Sequence, residues 1–246
     1  MHRVAVPSVP LLQVDNLEVR YGGIRALRGL SLTLEAGEIV IVTGPNGAGK
    51  STLMNSLAGL VKPQGGSILF DGEDITRKAP ERIARLGLSM VPEGRHVFGS
   101  MTVLENLRIG LGARADAKNA PLDLDYVMDL FPLLRERSQA QAGLLSGGQQ
   151  QMLVIARGLM TAPRLLAIDE PSLGLAPRIT DQVYEALLRL RRERDLTLLI
   201  VEQSATRAAL VGARMLMLRE GRVVLSGDPR SMSAQEIERA YFGFDA

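Results

Sequence analysis

Gly44-Pro45-Asn46-Gly47-Ala48-Gly49-Lys50-Ser51-Thr52 is the segment of this chain with the plainest chemical content. Its spacing is G-x-x-x-x-G-K-[ST], after the apolar run Ile39–Val42 and before a helical pattern over Thr52–Leu60. Strand, glycine-rich loop and helix in that order make a cradle for a polyphosphate. Glycines let successive backbone N–H groups turn inward, and the helix N-terminus adds its positive end. Lys50 is expected to reach the β- and γ-phosphates, Ser51 to ligate Mg²⁺, and Thr52 to contact the α-phosphate region. The spacing is not G-x-G-x-x-G, so a dinucleotide site is the poorer fit.

A second chemical segment is Asp169-Glu170, delivered by the apolar run Leu165–Ile168 at its carboxyl end. Open α/β sheets place their ligands there. Asp169 suits the Mg²⁺ shell, and Glu170, projecting differently, suits an attacking water. A third is Leu145-Ser146-Gly147-Gly148-Gln149. A serine hydroxyl and glycine N–H groups opening a helix form another anion trap. Gly costs about 1 kcal/mol relative to Ala inside a helix, so a Gly-Gly pair exceeds what a cap requires.

LSGGQ at 145–149 resembles the signature motif of ABC-type ATPases, and the resemblance runs from about Leu11 to Gly243. In that family the motif binds the ATP held by a facing subunit. The resemblance therefore implies a head-to-tail dimer that sandwiches two ATPs, with Ser146, Gly147, Gly148 and Gln149 serving the opposite site. Tyr21 stands where the family has an aromatic that stacks on adenine, and Pro171–Pro177 where it has a dimer-contacting loop. Two positions depart from the family pattern. Glu93 replaces the usual Gln after a short strand, and Gln203 replaces the usual switch His. Together with DEPSLGLAP and the C-terminal AYFG, they resemble the LivF-type ATPase subunits of branched-chain amino acid importers.

That resemblance implies hydrolysis of ATP with Mg²⁺, coupled to a partner permease fed by an external binding protein. It implies Glu170, Gln203 and Lys50 as the catalytic set. It also places the chain on the cytoplasmic side of the inner membrane, held through the permease and soluble when isolated. Gln203 can donate its amide to the γ-phosphate but adds no charge. Two roles stand open for Glu93: ligand of Mg²⁺ beside Ser51 and Asp169, or a residue that only tracks the permease. The second cassette is either a sister ATPase or another copy of this chain, and the transported substrate is not written in the sequence.

These residues need a scaffold. The runs Ile39–Val42, Leu165–Ile168, Leu196–Val201 and Met215–Leu218 read as strands buried on both faces. Arg178–Arg194 reads as an amphipathic helix with Ile179, Val183, Ala186, Leu187 and Leu190 on one face. The segments Leu11–Arg20 and Ile24–Glu35, broken at Tyr21-Gly22-Gly23, read as antiparallel strands. Helical patterns dominate Thr102–Met160, at Val103–Leu111, Asp123–Phe131 and Gly147–Met160, with Gly112–Pro121 a polar loop. The expected fold is an α/β P-loop NTPase core, a mostly parallel sheet flanked by helices, with an N-terminal antiparallel β part and an inserted helical subdomain. The expected organisation is a flexible leader at 1–10 and one nucleotide-binding domain over 11–246. Within it, 11–92 and 161–246 form the core and about 93–160 the helical part.

Composition narrows the alternatives. The chain has 246 residues, no Cys and two His, which excludes disulfides, thiolate metal sites and a multi-His centre. With 29 basic and 27 acidic residues, the net charge of +2 makes no strong field for a polyanion. Trp is absent and aromatics are 4%, so base-stacking platforms are thin and no nucleic-acid partner is expected. No apolar run approaches the ~20 residues of a membrane span. A small-molecule kinase would need an acceptor site and a lid, and would not need LSGGQ.

Overall fold

A computed structural model describes residues 9–114, 118, 120–203 and 205–243. Most of the leader expected at 1–10 therefore lies outside the described residues. Two sheets form the frame. The first holds β1 (Leu12–Tyr21), β2 (Ile24–Leu34), β4 (Gly65–Phe70) and β5 (Glu73–Asp74) in the antiparallel order β2-β1-β4-β5. The second runs β10-β9-β3-β8-β7-β6, from β3 (Ile39–Thr43), β6 (Leu88–Val91), β7 (Leu165–Asp169), β8 (Thr197–Val201), β9 (Arg214–Arg219) and β10 (Arg222–Gly227). Its strands are parallel except β10, which pairs antiparallel with β9.

The parallel strands explain their own sequences. Ile39 and Ile41 of β3 enter one core, and Val40 and Val42 enter the other. β7 divides likewise, Leu166 and Ile168 against Leu165 and Ala167, as does β8, Leu198 and Ile200 against Leu199 and Val201. A strand with two buried faces must be apolar without alternation. The second core is closed by the antiparallel sheet and by α1 (Lys50–Leu57), through Leu53, Met54 and Leu57. The first is closed by α6 (Gly147–Leu159) and α7 (Pro177–Arg194), with Val183, Ala186, Leu187 and Leu190 of α7 buried.

Among the described residues, four α-helices lie between β6 and β7: α3 (Val103–Ile109), α4 (Ala120–Leu130), α5 (Pro132–Glu136) and α6. Reciprocal side-chain caps start two of them, Thr102 with Glu105 at α3 and Ser146 with Gln149 at α6. The remaining helices are α2 (Pro80–Leu86), α8 (Ala205–Val211) and α9 (Ala234–Phe242).

Several expected boundaries move. α1 spans Lys50–Leu57 rather than Thr52–Leu60, because Gly49 at φ 106° closes the loop directly onto Lys50 and the left-handed Gly59 follows the last turn. α4 begins at Ala120 rather than Asp123, which leaves Asp123 in the first turn, where its negative charge is favoured by the positive end of the helix dipole. That shortens the polar loop expected over Gly112–Pro121, of which 115–117 and 119 lie outside the described residues. α3 ends at Ile109, and Gly110–Ala113 tighten into a 3₁₀ turn.

Candidate nucleotide-binding and hydrolysis site

The glycine-rich loop leaves β3 at its carboxyl end and enters α1. Gly44 must be glycine on two counts. Its φ is 144°, and a Cβ there would run into the carbonyl of Leu218. The buried Lys50 folds back over this loop. Its Nζ donates to the carbonyls of Gly44 (2.8 Å) and Pro45 (3.2 Å). Ala48 is buried, and its carbonyl accepts from the N–H of Gly221 at 2.9 Å, which ties the loop to the turn after β9.

Strand register brings the second chemical segment beside the first. Val201 of β8 stands opposite both Val42 of β3 and Asp169 of β7. Asp169 is only 3% exposed, and the Ser51 side chain lies near enough to favour its charged form. Burial pushes its carboxyl up to about 6; the neighbouring charges of Glu170 and Glu93 add to the rise, while Ser51 and Lys50 oppose it. Its Oδ1 is buried and has no hydrogen-bond partner. A buried carboxylate oxygen with open lone pairs, beside a serine hydroxyl, is a hard-oxygen donor set that fits Mg²⁺. Among the described residues, no group of three or more His, Cys, Asp or Glu could hold a metal ion.

Glu170 sits at φ 48°, a left-handed conformation uncommon for a residue with a side chain. Its N–H donates to the Val201 carbonyl at 3.0 Å. The Gln203 amide donates to its Oε2 at 2.7 Å. Gln203 is itself fixed where the Thr43 hydroxyl donates to its backbone carbonyl at 3.3 Å. The two expected catalytic side chains thus meet directly.

Tyr21, Asn46, Gly47, Gly49, Lys50, Ser51, Thr52, Glu93, Glu170 and Gln203 line one open cleft of about 690 Å³. The volume suits a small-molecule ligand of nucleotide size. Tyr21 is half exposed on the rim, where an adenine could lie against its ring. Glu93 faces the same cleft as Ser51, so the placement is compatible with a metal role.

The segment 145–149 is elsewhere. Ser146 and Gln149 line a different groove, which shares no residue with the cleft. Both side chains serve the helix cap: the Ser146 hydroxyl accepts from the Gln149 N–H (3.4 Å), and the Gln149 carbonyl oxygen accepts from the Ser146 N–H (2.9 Å). Gly147 lies under the Arg95 guanidinium, and a Cβ on Gly148 would press on Ile179 at 2.7 Å. Gly148 is therefore needed for packing as well, whereas the flexible Arg95 could swing aside from a side chain at position 147.

Sequence reasoning passed over five cleft residues, Ile24, Arg25, Ala26, Arg28 and Glu220; Leu173, also in the lining, belongs to the 171–177 loop expected to contact the facing subunit. Nothing in their local spacing marks them, since chain segments far apart in sequence assemble them. It also passed over Glu202, buried behind Gln203. A signal existed there, because Glu202 follows an apolar strand just as Asp169 ends one.

A family model described as ABC transporter matches residues 27–173. The chain is 42% identical to the high-affinity branched-chain amino acid transport ATP-binding protein BraG of Pseudomonas aeruginosa, over 95% of this chain and 100% of BraG. It is 33% identical to the probable branched-chain amino acid transport ATP-binding protein LivF of Archaeoglobus fulgidus, over 92% and 95%. Among solved structures it is similar to the ADP conformation of MJ1267, an ATP-binding cassette of an ABC transporter. That likeness has a TM-score of 0.81 and 28% identity, and covers 94% of each chain. Among the described residues, no helix is long and apolar enough to cross a membrane. The phosphate loop, the acidic strand end and the shared sequence lead to one assignment: this chain belongs to the ABC transporter family, as one of its ATP-hydrolysing cassettes.

Proposed function

We propose that the chain powers uptake of branched-chain or related amino acids through a partner permease, hydrolysing Mg²⁺-ATP at sites completed by a second cassette. The observation that carries this reading is the meeting of Lys50, Ser51, Glu170 and Gln203 at one cleft with Asp169 buried beside it, and of Ser146 and Gln149 at another groove. The names of the relatives support the substrate class.

In the proposed chemistry, the backbone N–H groups of the loop and Lys50 bind the triphosphate, and Tyr21 supports the base. Ser51 and Asp169 hold Mg²⁺, which neutralises phosphate charge when bound; Glu93 faces the same space as a further oxygen donor. Glu170 orients the attacking water and accepts its proton. Gln203 holds Glu170 in place and offers its amide to the γ-phosphate. Most of the rate acceleration is positioning and charge stabilisation. Ser146, Gly147, Gly148 and Gln149 contribute to the site of the facing cassette, either a sister ATPase or a second copy.

Phe98 (49% exposed), Met101 (38%) and Leu144 (80%) lie in adjoining segments, where Gly143 N–H bonds Gly99 O and Ala142 N–H bonds Met101 O. Exposed apolar side chains gathered in this way favour a protein interface. The proposed occupant is the permease, reached by an external binding protein from its far side. The cassette then lies at the cytoplasmic face of the membrane.

The test is sedimentation of Glu170→Gln with and without Mg²⁺-ATP. A shift from monomer to dimer on adding ATP is expected if one chain supplies both half-sites. ATP binding without dimerisation assigns the second half-site to a sister subunit. Failure to bind ATP overturns the reading.

A further inference from the structure

Glu202 is a buried carboxylate to which the chemistry above gives no task; it is 4% exposed. It directly follows β8, and its N–H donates to the Val42 carbonyl at 2.9 Å. Both of its oxygens are engaged by hydroxyls. Tyr184 of α7 donates to Oε1 at 2.6 Å, and Ser172, in the loop between β7 and α7, donates to Oε2 at 2.9 Å. Burying a carboxylate is costly, and an apolar side chain could fill the same space at less cost. The geometry shows what the carboxylate does that an apolar residue cannot.

Two chain segments run side by side here, Glu170-Pro171-Ser172 after β7 and Glu202-Gln203 after β8. Two side-chain bonds cross between them. One joins Gln203 to Glu170 at the cleft, and the other joins Ser172 to Glu202 beneath it. A backbone bond from Glu170 N–H to the Val201 carbonyl closes the base. The upper bond is between exposed or half-exposed side chains, which lose rotamer freedom to make it. The lower one is held by a buried acceptor and fixes the backbone on either side of the upper pair.

We infer that Glu202 is a positioning residue for hydrolysis: through Ser172 it locks the 171–176 loop to the end of β8 and so sets Glu170 in register with Gln203. The inference rests on the proposed role of Glu170. The competing account is a tether for α7, which would change stability and nucleotide binding along with turnover.

Steady-state ATP hydrolysis by the full-length chain separates the two accounts, using Ser172→Ala, Glu202→Gln and the double variant, with Glu170→Gln as control. Ser172→Ala is expected to lower kcat roughly tenfold. Its KM for ATP is expected to stay within about twofold of the parent and its melting temperature within about 2 °C. The double variant is expected to turn over no slower than Glu202→Gln alone, since one interaction is being removed. Wild-type kcat in Ser172→Ala, additive losses in the double variant, or a KM that rises as far as kcat falls would each overturn the inference. Full turnover by Glu170→Gln would instead overturn the role of Glu170, and the inference with it.

Discussion

At the scale of single residues, function is in tension with stability at Asp169. Its buried Oδ1 has no partner, and burial and neighbouring carboxylates both oppose its charge. A charge held there destabilises the metal-free fold and is useful only when a cation arrives. Asp169→Asn should therefore raise the melting temperature in chelator at pH 7, by roughly 2 °C. The same change should raise the Mg²⁺ concentration for half-maximal ATPase activity by about tenfold or more. A variant that melts lower in chelator, or titrates with Mg²⁺ like the parent, would remove Asp169 from the metal shell. Glu170 shows a related conflict in its backbone, where a left-handed φ of 48° is tolerated because the Val201 carbonyl and the Gln203 amide hold it from two sides.

At the scale of elements, helix α6 has its cap and its anion trap in the same residues. Replacing Ser146 by Ala removes the bond from the Gln149 N–H and should cost about 1 kcal/mol of stability, read by thermal or denaturant unfolding. If the hydroxyl also serves the facing site, ATP turnover should fall well beyond what that loss of stability explains. Turnover falling only with the folded fraction would leave the cap as its sole role. The elements themselves differ in how plainly the sequence announces them. β3, β7, β8 and β9 are short apolar runs because both their faces are buried, and α7 shows its period because only one face is. β4, α2, β10 and α9 carry no such contrast: β10 alternates exposed with half-buried residues, and α9 has no buried residue. The cleft was legible where one loop supplies most of a wall, Asn46, Gly47 and 49–52. It was not legible at Arg25, Arg28 and Glu220, which only the meeting of the two sheets brings there.

At the scale of the whole molecule, the antiparallel sheet and the parallel sheet act as one body. Arg164, just before β7, pairs with Asp71, just after β4, and Arg214 of β9 pairs with Glu38 at 2.6 Å while its guanidinium donates to the Thr33 carbonyl of β2. Three exposed apolar side chains, Phe98, Met101 and Leu144, lie in the paired segments at Gly99 and Gly143. Phe98→Glu should leave nucleotide binding unchanged and release the cassette from permease-containing membranes, as followed by co-sedimentation. Retention at the parental level would move the permease interface elsewhere.

The double-sided burial of β3, β7 and β8 has a consequence for time as well as for shape. A strand shared by two cores cannot open toward one side without disturbing the other, so its amide protons are expected to exchange with solvent only on global unfolding, as measured by native-state hydrogen exchange. The three strand ends that carry the phosphate loop, Asp169 and Glu202 thus belong to the slowest-exchanging part of the protein. The exposed Gln203 and half-exposed Glu170 are a step away from it. The side chains that act on the nucleotide therefore stand a residue or two beyond a frame that is expected to keep its amide protons until the protein unfolds.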